Sequence, residues 1–144
     1  MTGAVVAGRS DWLLFAHVAA AFVFSGAALT VILAGTAAAR ARVEGDRAVL
    51  SRLAYRVNVL VLWPALVILI GAGAQLADAE DAYGRGWLRW GMILTGVVAV
   101  LGGLVLGALT RRASRSPLVL VMGTATLVAL VVIFWLMTAK PGIY

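Results

Sequence analysis

The chain has 144 residues, of which 63% are hydrophobic and 12% charged, and its mean hydropathy is +1.03. A water-soluble domain of this length has too little interior to hide that much apolar surface, so the composition makes the lipid bilayer its solvent and leaves room for one domain only. The 12 basic residues outnumber the 6 acidic ones but sit in short loops beside apolar runs, which argues against nucleic-acid binding; with no cysteine, disulfides and thiolate chemistry are excluded.

Met1 to Ser10 is a polar lead containing Arg9. The apolar run that follows is too long for the core of a signal peptide, typically ~7–15 residues, and is expected to be a retained first span over residues 12–39. Arg40 to Arg56 reads as a loop, with five arginines against Glu44 and Asp46. The second span is expected over 57–77, with a kink where Pro64 removes a backbone N–H. Asp78 to Arg89 is a short, mostly acidic turn; its carboxylates Asp78, Glu80 and Asp81 read as solvated. The third and fourth spans are expected over 90–110 and 118–139, and Lys140-Pro-Gly-Ile-Tyr144 closes the chain.

The loops after spans one and three carry Arg40, Arg42, Arg47, Arg52, Arg56, Arg111, Arg112 and Arg115, whereas the other side carries Arg9, Arg85, Arg89 and Lys140. The positive-inside rule therefore places both termini on the outer side. Trp12, Trp87, Trp90 and Trp135 fall at the same ends of their helices, where an amphipathic ring belongs. The expected fold is all-α: an integral membrane four-helix bundle, up-down-up-down, with both termini outside.

His17 is the only histidine. It lies five residues past Trp12, roughly 8 Å into the apolar layer at ~1.5 Å per residue, where an ionisable side chain is costly and faces the bundle interior. It shares a helical face with Ala20, Ala21, Phe24 and Ala28, small enough on the whole for close helix contact. The plain reading is a neutral imidazole hydrogen-bonded to a second helix; the sharper one is a ligand to haem or a metal. Met92 and Met137 fall near the same level, and a thioether with an imidazole suits Cu(I) or the axial pair of a haem, although methionine in such helices is commonly packing. Lys140 is read as snorkelling to the interface or as a fixed cation for an anionic group. Asn58, Thr95, Thr124, Thr126 and Thr138 read as hydrogen-bonding partners of other helices or of the backbone. Gly96, Gly103 and Gly107 form a small-residue face for packing within the chain, a homodimer or a larger membrane complex. No Ser/His/Asp set, phosphate loop or HExxH is present, which argues against an enzyme, and one histidine cannot build a multi-histidine metal site.

The opening Trp12-Leu-Leu-Phe-Ala-His17 with Phe24 and Gly26 resembles the first helix of small bacterial membrane proteins of the domain of unknown function 2269 family. Tyr55-Arg56, Trp63-Pro-Ala65 and Gly71 resemble their second helix, and Trp135-Leu-Met-Thr-Ala-Lys-Pro-Gly142 their Lys-Pro close. That family is similar to CopD-like copper-resistance proteins and HemJ-like protoporphyrinogen oxidases. The resemblance implies a bacterial inner-membrane protein with haem b held by His17, a second ligand from Met92, Met137 or the His17 of another copy, and Arg89 or Lys140 beside the propionates. HemJ-like proteins carry a lysine early in the third helix; here Trp87-Leu-Arg-Trp-Gly91-Met92 has none, which argues against oxidase activity and leaves haem binding open. Two further readings stand beside it: a cofactor-free accessory subunit of a larger membrane complex, and copper handling through His17 and the methionines.

Overall fold

The computed structural model describes residues 2–79, 83–105, 108 and 118–139. Among them there is no strand. Helix α1 spans Thr2–Arg40, α2 Glu44–Val57 and α3 Trp63–Ala79, the last two joined by a π-helical turn, Asn58–Leu62. Helix α4, Gly86–Val98, runs into a second π-helical stretch, Ala99–Val105, and α5 spans Leu118–Ala139. Four segments are long and apolar enough to cross a membrane: Asp11–Arg40, Glu44–Ala79, Gly86–Leu104 and Val121–Ala139.

The stretch expected as a loop from Arg40 to Arg56 is instead helical from Glu44 onward; only Ala41–Val43 departs from helix. Glu44 and Asp46 lie in the first turn of α2 and Arg56 in the last, each complementing the helix dipole. Arg47 fastens the elbow. Its guanidinium donates to the Glu44 carboxylate at 2.9 Å and to the Ala41 carbonyl at 2.9 Å, and so satisfies a carbonyl left over at the end of α1. From Glu44 to Ala79 the chain is one helical rod of 36 residues, about 54 Å long at ~1.5 Å per residue, well over the thickness of a hydrocarbon core.

Pro64 explains the π turn in this rod. In a regular helix its ring would press on the carbonyl four residues back, and it has no N–H to offer. The chain winds wider just before it, and the Trp63 N–H reaches back five residues to the Asn58 carbonyl.

Helix α1 is the most enclosed of the four spans, with 44% of its most apolar window buried against 28% for the second and 22% for each of the others. Phe24, Ala27, Ala28, Val31, Ile32 and Ala34 of α1 form one core with Ala54, Leu62, Ala65, Leu66 and Val98. Contacts pair the start of α1 with α3 (His17 beside Gly73) and its end with α2 (Ala41 bonded to Arg47). Along α4 and α5, Gly91 meets Met137 and Gly102 meets Thr126. The outward surface is apolar: Phe22, Leu60 and Val131 are each about two-thirds exposed. An apolar surface of this extent is what a multi-pass membrane protein presents to lipid.

Glycines seat these contacts. A Cβ at Gly123 would stand 2.8 Å from Cγ2 of Ile32, one at Gly103 2.9 Å from the Trp63 ring, and one at Gly102 3.1 Å from Thr126. In an unbroken α-helix Gly96 and Gly103 would share a face. Here Gly96 faces open space while Gly103 is buried, because the π-helical stretch from Ala99 shifts the phase between them. Gly107 lies outside the described residues.

Candidate functional site

His17 sits on α1, partly buried, one turn before buried Ala20 and two turns before buried Phe24. Its Nδ1 lies 3.0 Å from the Leu69 carbonyl oxygen of α3. A carbonyl only accepts, so Nδ1 carries the hydrogen and donates it. In the neutral imidazole this leaves Nε2 with its lone pair as the free ring nitrogen.

Gly73 makes the approach possible. Leu69 and Gly73 stand four residues apart on α3, so the carbonyl and the glycine lie on neighbouring turns of one face. A Cβ at residue 73 would be 2.8 Å from Cε1 of His17, 3.0 Å from Nδ1 and 3.9 Å from Nε2. Any other residue there would collide with the ring. Gly26 and Gly71, which carry part of the family resemblance, have open space around them instead.

One turn further along α3, Ala77 packs with Leu88, Trp87 and Met137. Met137 also lies over Gly91, where a Cβ would stand 2.5 Å from its terminal methyl. The His17 and Met137 neighbourhoods are therefore consecutive turns of α3, and Met137 is partly buried. Met92, next to Gly91, is 49% exposed and turns toward the surface, away from both. Arg89 is exposed, and its Nε donates a long bond of 3.4 Å to the Tyr83 carbonyl; the Tyr83 hydroxyl in turn donates to the Ala74 carbonyl at 2.9 Å. Lys140 lies outside the described residues. Among those described, no three of His, Cys, Asp or Glu gather as a metal-binding group.

At the other end of the core, Asn58 is buried and donates through Nδ2 to the Gly103 carbonyl at 2.8 Å, linking the two π-helical stretches. Thr95, Thr126 and Thr138 each donate back along their own helices, to Gly91, Met122 and Phe134 at 2.8 Å.

Leu69 and Gly73 escape a reading of the sequence. A leucine contributes here through its carbonyl, which every residue has, and Gly73 is one of four glycines and alanines in a row. The available signal is geometric: the residue facing a membrane histidine must be small for the ring to reach a backbone oxygen. Comparison of the chain with family models, curated proteins and solved structures finds no match.

Proposed function

We propose that the chain is a small multi-pass protein of the bacterial inner membrane, of the HemJ- and CopD-like kind it resembles, that holds haem b through Nε2 of His17. The observation that carries this reading is the bond from Nδ1–H of His17 to the Leu69 carbonyl. Histidines that ligate metals characteristically donate their other ring N–H to a carbonyl or carboxylate, which selects the tautomer, orients the ring and raises the basicity of the ligating nitrogen. Gly73 supplies the space in which the ring is held.

In this account the termini lie on the outer side, the helices alternate up and down, and His17 stands in the outer half of the membrane. The arginine distribution and the four tryptophans support that placement. When bound, haem supplies one-electron redox chemistry. The chain itself would contribute Nε2 of His17, its orientation through the Leu69 carbonyl, and cations for the propionates from Arg89 and Lys140. Met137 of α5, packed against Ala77 one turn along α3 from Gly73, would be the better placed of the two methionines to supply a second ligand; the His17 of a second copy is the alternative. Without a lysine early in the third span the reading is of a haem carrier or electron-transfer component, not an oxidase.

One observation favours a second reading, a cofactor-free accessory subunit. Helices α4 and α5 leave most of their surface uncovered and enclose an open apolar groove of about 610 Å³ lined by Leu94, Val121, Val128 and Val132 among others. The visible spectrum of the purified protein separates the two: a haem carrier is coloured and a packing subunit is not. Copper handling has less support, because Met92 turns to the surface.

A further inference from the structure

A stripe of buried polar side chains runs along α2, away from the histidine. Arg47, Ser51 and Asn58 are 7%, 7% and 3% exposed, and with Ala54, fully buried, they recur at intervals of four, three and four residues. At ~100° per residue these four positions fall within about 60° of one another, so they form one face. That face lies against the end of α1, where Ala34, Gly35 and Ala38 are buried.

Three buried side-chain atoms among the described residues have no hydrogen-bond partner within the chain: Arg47 Nε, Ser51 Oγ and Asn58 Oδ1. All three lie on this stripe. Each otherwise well-placed residue has one group left over. Arg47 spends its terminal nitrogens on Glu44 and Ala41, and Asn58 an amide N–H on Gly103, while Arg47 Nε–H and Asn58 Oδ1 have no partner. The leftover groups are chemically complementary: Nε–H donates, the serine hydroxyl does both and Oδ1 accepts. Buried polar atoms without partners are costly and rare, and ordered water is their usual partner where the site is polar.

We propose that ordered water occupies the seam between α1 and α2, held by Arg47 Nε–H, Ser51 Oγ and Asn58 Oδ1. One water joins Arg47 to Ser51, which are a single turn apart, and others reach Asn58 at the junction of the two π-helical stretches. Water held there would give an aqueous path from the arginine-rich end toward the level where Asn58 meets Gly103. It is distinct from the His17 site, and it stands whether or not haem is bound there.

The chain has no cysteine, so single-cysteine variants report on one position each. Ser51→Cys and Asn58→Cys are reacted in proteoliposomes with a small water-soluble methanethiosulfonate, beside Val67→Cys on the lipid-facing side of α3. Because only the thiolate reacts, and it forms only where water reaches, the seam positions are expected to react at least about tenfold faster than Val67→Cys. Equal rates would overturn the proposal. Ser51→Ala is a second arm that preserves the fold. Removing a water-bridging hydroxyl lowers the thermal midpoint, whereas removing a dry, unpaired one raises it, and a raised midpoint would equally overturn the proposal.

Discussion

His17 Nδ1 stands 3.0 Å from the carbonyl oxygen of Leu69, across the contact between α1 and α3. This one bond states the tautomer of the ring and directs its other nitrogen. It exists because residue 73, one turn along α3 from Leu69, has no side chain.

Gly73→Ala therefore separates the roles of two nearby glycines. The added methyl would lie 2.8 Å from Cε1 of His17, so ring or helix must move, and the expected cost is about 1–3 kcal/mol with loss of whatever His17 holds. Gly71→Ala meets nothing within 4 Å. As an alanine inside a helix it should leave stability unchanged or raise it by up to about 1 kcal/mol. Unfolding of both variants in mixed detergent–SDS micelles checks the contrast. Equal behaviour would remove Gly73 from the site.

A second pair of glycines tests packing at two other contacts of the bundle. At Gly123 the added methyl meets Ile32, whose β-branched side chain is stiff in a helix, so Gly123→Ala should cost about 1–3 kcal/mol. At Gly91 it meets only the terminal methyl of Met137, a flexible side chain that can swing aside, and the cost should stay below about 1 kcal/mol. The same unfolding assay ranks them, and the reverse order would contradict the packing described.

Arg47→Ala removes the bond to Ala41 that ties the elbow between α1 and α2, and with it the ion pair to Glu44 in the first turn of α2. A loss of about 1–3 kcal/mol is expected, since the bonds are charge-assisted and the arginine is buried. Arg52→Ala, one of the exposed arginines of the same helix, should lie within about 0.5 kcal/mol of wild type. Protease cleavage near Ala41–Val43 should also accelerate in the Arg47 variant alone.

The four helices long and apolar enough to cross a membrane were legible in the sequence, because four apolar runs of spanning length carry a strong and redundant signal. The helix over Glu44–Val57 was not. Its buried face is made of Arg47, Ser51, Ala54 and Asn58, polar or small residues that leave no apolar periodicity to read. Thr95, Thr126 and Thr138 behaved as hydrogen-bonding side chains, bonding back along their own helices, and Asn58 found its partner on another span, which the chemistry of a buried amide demands. His17 was visible as the only intramembrane histidine, whereas its partner was not, since a backbone oxygen has no letter in a sequence. The methionines could be placed at a level but not on a face, and only the packing shows Met137 turned inward and Met92 outward.

Orientation is open to direct measurement. With the termini outside, a cysteine placed at exposed Tyr83 should react with an impermeant thiol reagent added to intact cells, and one at exposed Arg42 only after the membrane is opened. The opposite pattern would invert the proposed topology and place His17 in the inner half of the membrane.

The central claim is tested by the visible spectrum of the detergent-purified protein from haem-supplied cells, oxidised and then reduced with dithionite, beside His17→Ala. The account predicts a Soret band in the wild type that shifts on reduction and is absent from His17→Ala. The variant should remain folded, because the lost interhelical bond is worth only about 0.6–1.7 kcal/mol in a membrane bundle. A colourless wild-type protein, or a Soret band unchanged by the substitution, would contradict it.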